Sequence, residues 1–410
     1  MHTVDNLQQI EMLYKWMEQP TFIHQNKWLR ITLIALPILT ILGFAYFMYL
    51  QIFWLALVCL LPAFLLLRQY VLRVNLVHQQ TSHAEKALRH YASLIAHIEK
   101  GQFEADKLVR LQKAFEPAAS HAIARLSYII SQLNARYNAF VLLFNLFGLW
   151  DLQWVLSLEK WKLQQKGQLN KWFNALAEFE TLSSFATIAF NNPDWTKPSI
   201  VEEKVIQATA LGHPLISNAK RVANDMKLPT AGHIKLLTGS NMAGKSTLLR
   251  TVGLNIVLAM AGAPVCAQKL SLPLLQVYTS MRTQDALHES TSSFYAELKR
   301  LKVIIEAVEK GENIFFLLDE ILKGTNSRDR HTGSKALIRQ LIEQGGGGII
   351  ATHDLELGSL ESQYNGPIEN WCMEVEIQDG KLHFDYLLKK GVSKSFNATL
   401  LMQQMGIAIQ

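Results

Sequence analysis

Gly239-Ser-Asn-Met-Ala-Gly-Lys-Ser246 decides the reading of this chain. Two glycines with four residues between them, followed by Lys-Ser, form the phosphate-binding loop pattern without a mismatch. The apolar segment His233 to Thr238 before it predicts a short buried strand, and Thr247 to Met260 after it predicts a helix. Strand, glycine loop and helix are the context the pattern requires. Glycines let successive backbone N–H groups turn inward around phosphate oxygens, and the helix N-terminus adds a partial positive charge. On this reading Gly239, Ser240, Asn241, Met242, Ala243, Gly244, Lys245, Ser246 and Thr247 cradle the phosphates. Lys245 reaches the β- and γ-phosphates, and the Ser246 hydroxyl is a ligand for Mg2+.

A second half of such a site lies about 75 residues downstream. Ile314-Phe-Phe-Leu-Leu-Asp-Glu320 is an apolar run ending in two acids, which suits a central parallel strand covered on both faces. Acids at its carboxyl end fall where α/β sheets hold ligands. Asp319 is expected to hold Mg2+, and Glu320 to orient and deprotonate an attacking water. A third strand, Gly348 to Thr352, delivers His353 as a candidate γ-phosphate sensor. Gly345 to Gly348 read as a plain loop, because neither Lys-Ser nor a helix follows.

The wider pattern resembles the ATPase domain of the MutS family, in which Thr-Gly-x-Asn-Met-x-Gly-Lys-Ser-Thr is characteristic; here it reads Thr238 to Thr247. The likeness continues through Gly262-Ala-Pro-Val-Cys-Ala-Gln268, Asp285 to Leu298, Asp319-Glu-Ile-Leu-Lys-Gly-Thr325 and Ala351-Thr-His-Asp354. Upstream, Gly212-His-Pro214 and Val222-Ala-Asn-Asp225 resemble the segment that leads into that domain. The resemblance covers roughly residues 205–405 and implies an ATP- and Mg2+-dependent ATPase of the P-loop, ABC-class α/β fold. It further implies that Asn241 contacts the nucleotide and that Ser292 reaches the γ-phosphate held by a second copy. A serine acting in trans implies a homodimer through the ATPase domain, with Lys245, Glu320 and His353 as the catalytic set. The chain stops near where the family's dimerisation helices would begin, so a weak or ATP-dependent dimer is expected. Two positions depart from the pattern: Cys266 stands where the family usually has proline, and Arg221 where an aromatic often stacks on adenine.

The N-terminal half carries a different signal. Ile31 to Leu67 is 37 residues without a charge, far beyond the roughly 20 apolar residues that span a bilayer. A break near Tyr49-Leu-Gln51 predicts a transmembrane helical hairpin within residues 30–68. Lys27 and Arg30 precede it and Arg68 and Arg73 follow it, which places both ends in the cytoplasm at the inner membrane. A cleaved signal peptide does not fit, since the apolar stretch is too long and starts too late. Residues 1–29 read as an amphipathic helix carrying Leu7, Ile10, Leu13, Tyr14 and Met17 on one face, either packed on the protein or lying on the membrane surface. Residues 69–191 show helical periodicity and resemble, loosely, the family's lever domain. Within them Tyr137 to Trp150 is uncharged but too short to span, and reads as a buried helix whose aromatics form core. Residues 192–204, with two prolines, read as a linker to an ATPase domain over 205–410. Met373–Ile377 and Lys381–Tyr386 predict a β-hairpin.

The remaining composition constrains little. Cys59, Cys266 and Cys372 have no metal or disulfide spacing. A formal net charge of +6 permits nucleic-acid binding without arguing for it. The mismatch-reading domain and long clamp of the DNA-repair members have no room here. Double-stranded DNA is therefore an expected partner by family alone; the alternative is an ATP switch acting on an unknown protein or lipid partner. A transporter half is disfavoured, because two spans make no pore and Leu-Ser-Gly-Gly-Gln is absent.

Overall fold

The computed structural model describes residues 11–51, 53–240, 243–281, 293–378 and 381–393. The chain divides into two compact units, Met1–Ser183 and Ser184–Gln410.

The first unit is helical. Its elements are α1 (11–18), α2 (Lys27–Leu50), α3 (Phe53–Thr81), α4 (Glu85–Lys100), α5 (Asp106–Lys113), α6 (Ala119–Asn134), α7 (Ala139–Gly148), α8 (Trp150–Gln164) and α9 (Gln168–Asn191), the last crossing into the second unit. Two helices, over Lys27–Leu50 and Val58–Lys100, are long and apolar enough to cross a membrane. The turn between α2 and α3 passes through Gln51 in the left-handed region, φ 60°, close to the break expected at Tyr49–Gln51. Ile34, Ile38, Leu42, Trp54, Val58 and Leu65 are exposed on this pair. The second helix does not stop at residue 68. It continues to Thr81, and Val74 and Val77 are buried in the core that α4, α6 and α8 share. Leu88, Ala92, Ile95 and Ile98 of α4 and Ile123, Leu126, Ile130 and Leu133 of α6 fill that core at helical spacing.

The N-terminal segment packs on this unit, with Leu13 and Trp16 buried; Leu7 and Ile10 lie outside the described residues. Two polar residues of α8 hold it in place. The buried Glu159 carboxylate accepts from the N–H groups of Phe22, Ile23 and His24 at 2.7, 3.1 and 2.7 Å. Lys162 Nζ donates to the carbonyls of Trp16 and Gln19 at 2.5 and 2.6 Å. Backbone groups of an irregular segment are thereby satisfied inside the protein.

One expectation fails here. The Tyr137–Trp150 stretch does form a helix, α7, but none of its residues is buried, and Phe140, Leu142, Leu143 and Phe144 are exposed. The reason is positional: α7 lies against α2 and α3 on the apolar side of the unit rather than inside its core.

The second unit is α/β. Its elements run β1 (Ser199–Ile200), β2 (Val205–Leu211), β3 (Asn224–Pro229), β4 (Ile234–Thr238), α10 (Lys245–Met260), β5 (Lys269–Leu272), β6 (Gln276–Ser280), α11 (Ser293–Glu309), β7 (Ile314–Asp319), α12 (Ser327–Glu343), β8 (Gly348–Thr352), α13 (Leu360–Tyr364), β9 (Ile368–Gln378) and β10 (Lys381–Lys390). The main sheet has the order β10-β9-β4-β8-β7-β6, parallel except for the β9–β10 hairpin. A smaller sheet, β1-β5-β2-β3, completes the unit. The expected linker is therefore partly structural: Ser199–Ile200 pairs with β5, and Thr196 bridges Val265.

Side-chain alternation explains why β4, β7 and β8 are apolar on both faces, Lys235 of β4 excepted. Leu237, Phe315, Leu317, Ile349 and Ala351 face a core shared with α10 and the smaller sheet. Ile234, Leu236, Phe316, Leu318 and Ile350 face a core shared with α11 and α12. Both faces of the strands are covered, so neither can be polar.

Candidate active site

The three candidate segments converge at the carboxyl ends of three adjacent strands. β8 lies between β4 and β7, so the loop after β4, the acids ending β7 and the histidine after β8 become neighbours. This is where open α/β sheets place ligands.

Gly244 caps α10 with φ 100°. A Cβ there would be strained by the backbone and would come within 3.0 Å of Tyr386 Cδ1, so glycine is required twice over. Lys245 begins the helix and is buried. Its Nζ donates to the carbonyls of Gly239 and Ser240 at 2.7 and 2.9 Å. Burial pushes its pKa down to about 8, with Asp319 opposing and Lys323 assisting. A buried ammonium held chiefly by neutral carbonyls is favoured by an added anion.

Asp319 ends β7, and its Oδ1 is buried without a hydrogen-bond partner among the described residues. An orphaned carboxylate oxygen that acts on Lys245, the residue before Ser246, fits a hard divalent cation with oxygen ligands. Glu320 follows in the left-handed region, φ 53°, and its N–H donates to Ala351 O at 2.9 Å. A non-glycine residue there carries local strain. The turn directs the Glu320 carboxylate to two partners, Lys323 Nζ through Oε2 and His353 Nε2 through Oε1.

His353 completes the set. Its Nδ1 lies 3.4 Å from Lys245 Nζ and 3.3 Å from Gly239 O. Burial lowers its pKa, and Lys245 lowers it further. Both effects favour the neutral ring, whose Nδ1 faces Lys245 and the Gly239 carbonyl and whose Nε2 faces Glu320. A chain of charge, Lys245–His353–Glu320–Lys323, runs along the strand ends.

Beside this chain opens a cavity of about 530 Å³ lined by Ser240, Lys245, Ser246, Thr247 and Glu320 on its phosphate side. Its far wall is made by His213, Ile216, Val222 and Tyr386, and the size suits a small organic ligand. Asn241, Met242 and Ser292 lie outside the described residues.

Several contributors were not visible as site residues in the sequence. Tyr386 reaches the cavity because β10 bulges between Phe384 and Leu388. Asn224 of β3 fixes that bulge: its Nδ2 donates to Tyr386 O at 3.1 Å and its Oδ1 accepts from Leu388 N at 2.7 Å. Glu297 of α11 accepts from Leu322 N at 2.5 Å, tying that helix to the loop that carries Glu320. His331 Nδ1 lies 2.6 Å from Asp354 Oδ2 and anchors the residue after His353. These contacts join segments 23 or more residues apart, so no local spacing signals them.

Arg221 does not line the cavity. Its Nε donates to Ile216 O at 3.0 Å, its Nη1 to Cys266 Sγ at 2.8 Å, and its guanidinium lies 5.8 Å from the Trp195 ring centroid. The flat ring it meets is the protein's own.

Fold and site together define an α/β domain with a glycine-containing loop, a buried lysine and paired acids at the carboxyl ends of parallel strands. Comparison narrows that class. The family model for MutS domain V matches residues 235–404. The chain is similar to the DNA mismatch repair protein MutS of Aquifex pyrophilus, 33% identical over 223 residues, covering 53% of this chain and 26% of the relative. The same-named protein of Ehrlichia chaffeensis is 34% identical over 215 residues, covering 52% and 26%. That of a Thermotoga species, strain RQ2, is 30% identical over 235 residues, covering 56% and 29%. The chain spans about a quarter of the length of the curated relatives it matches. The likeness is thus to a MutS-family ATPase domain, in the C-terminal half.

Proposed function

We propose that this protein is a membrane-anchored MutS-like ATPase that binds MgATP in the Lys245 cavity, hydrolyses it through Glu320, and is associated with DNA. The observation that carries the catalytic reading is the grouping of Lys245 and Glu320, which line the cavity, with His353, which touches both, and with Asp319, whose charge acts on Lys245 and whose Oδ1 is orphaned. Lys245 and the α10 N-terminus hold the phosphates, while Ser246 and Asp319 hold Mg2+, which would neutralise phosphate charge. Glu320 accepts a proton from water, and its contact with His353 keeps the carboxylate oriented. His353 Nδ1 lies beside Lys245, where a γ-phosphate oxygen would displace its present contact. Closure of the site by Ser292 from a second copy, in a homodimer, belongs to the same proposal.

The apolar α2–α3 pair supports anchoring in the cytoplasmic membrane, with basic residues at both ends on the cytoplasmic side. The DNA association follows the printed names of the relatives.

The test is the ATPase rate of the detergent-solubilised full chain, with and without duplex DNA, over a salt series. Glu320→Gln is expected to lower kcat by at least about 100-fold while ATP still binds. Stimulation by DNA that fades as salt rises supports the DNA role, since phosphate contacts release counterions. A Glu320-dependent rate indifferent to DNA moves the partner to protein or lipid. A rate unaffected by Glu320→Gln overturns the catalytic assignment.

A further inference from the structure

Helix α7 carries Phe140, Leu142, Leu143 and Phe144 at 75, 65, 58 and 59% exposure. Nothing in the unit covers them among the described residues. Four observations indicate what does. The first is depth. Thr40 Oγ1 donates to Phe147 O at 3.0 Å, and the Phe44 and Phe147 rings meet at 5.2 Å. Thr40 lies 13 residues into the 24-residue α2, about 20 Å along its axis. The C-terminal end of α7 is therefore level with the middle of a helix long enough to span.

The second is repair of a broken helix. Pro37 has no N–H, so Leu33 O, four residues earlier, loses its intrahelical donor. Gln153 Nε2 of α8 donates to Leu33 O at 2.5 Å. The amide restores a hydrogen bond that lipid could not supply, and it places the start of α8 about 9 Å along α2, inside its apolar stretch. The third is the junction. α7 and α8 meet at 78° through Leu149, which is left-handed, φ 54°, and fully buried. Irregular backbone at bilayer depth is tolerated only when protein encloses it. The fourth is charge. No charged residue lies between Arg136 and Asp151, and these two pair at 2.8 Å with side chains 10 and 5% exposed. The excursion begins and ends at a neutralised pair.

We propose that α7 is a re-entrant membrane element whose apolar face is covered by lipid acyl chains. At ten residues, about 15 Å, it enters a bilayer of about 30 Å and cannot cross it. The inference rests on α2 and α3 being the anchor, and its test separates the two. The wild-type full chain is reconstituted in vesicles containing phosphatidylcholine with a diazirine near the acyl-chain end, irradiated, and mapped by mass spectrometry. Adducts on both α2 and 139–148 are expected. Adducts on α2 with none on 139–148 overturn the inference and leave the anchor. Adducts on neither overturn both. A nitroxide at Leu143→Cys, in a Cys59→Ala, Cys266→Ala, Cys372→Ala background that still binds nucleotide, gives a second readout. Relaxation by oxygen several-fold stronger than by a water-soluble nickel chelate is expected. Weak relaxation by both means that a second copy of the chain covers α7, and strong relaxation by nickel means that water does; either overturns the inference.

Discussion

At the scale of single residues, the two departures from the family pattern turn out to be one. Arg221 stands where an aromatic is usual and Cys266 where a proline is usual, and Arg221 Nη1 donates to Cys266 Sγ. Burial pushes the Cys266 thiol up, so the bond is one from guanidinium to a neutral sulfur. The two changes meet: Arg221, already bonded to Ile216 O, gains at Cys266 a side-chain acceptor that a proline lacks. A double-mutant cycle of Arg221→Met and Cys266→Ala is expected to give a coupling of about 0.5–1.5 kcal/mol in chemical denaturation; additivity would break the link. Lys235 offers a test in pH. It is buried in β4, paired with Glu369 and 5.0 Å from the Trp371 ring centroid. Burial, with Lys390 beside it, lowers its pKa from 10.5 to about 8. Between those values the unfolded chain holds a proton that the folded chain has lost, so this group adds stability as pH rises through the window. Lys235→Met removes that dependence. Wild type should gain on the variant between pH 8 and 10.5, by at most about 3 kcal/mol, in paired melts. A constant difference would place the Lys235 pKa at its ordinary value.

At the scale of elements, the main strands and their helices were legible because burial writes itself into periodicity. A strand covered on both faces is mostly apolar, and β4, β7 and β8 are, with the paired Lys235 as the exception in the interior of β4. What periodicity could not show was the medium. Phe140 and Leu143 carry the same hydrophobicity whether they face protein or another apolar phase, so α7 read as core and is exposed instead. Nor could it show the β10 bulge or the Asn224 side chain that fixes it, since that contact joins residues 162 and 164 positions apart. The Asp-Glu loop shows how elements constrain each other. A Cβ on Gly324 would lie 2.6 Å from Phe294 Cβ, so α11 packs directly on the loop that carries Glu320. Gly324→Ala is expected to cost about 1–3 kcal/mol, measured by denaturation. It should also lower kcat more than it raises KM, because the displaced loop carries Glu320. Wild-type stability in the variant would mean that the loop and α11 separate freely.

At the scale of the whole molecule, the two halves carry independent cores, one helical and one α/β. Residues 184–410 expressed alone should stay in solution without detergent, unfold cooperatively, and gain thermal stability with MgATP; aggregation in all buffers would show that the α/β unit depends on the helical one. The division between halves was legible from charge and hydropathy. The extension of α3 beyond residue 68 was not, because residues 69–81 read equally well as a new helix. That extension has a mechanical consequence. α3 runs from Phe53 to Thr81 without a break, exposed and apolar at one end and locked into the α4–α6–α8 core at the other. A continuous helix has no joint. A bilayer whose thickness changes is matched by tilting such a helix, and a tilt at one end of a rod is a swing at the other. On the proposed anchoring, the helical bundle is fixed to the membrane as a weathervane is fixed to its spindle, so its orientation reports the lipid around it.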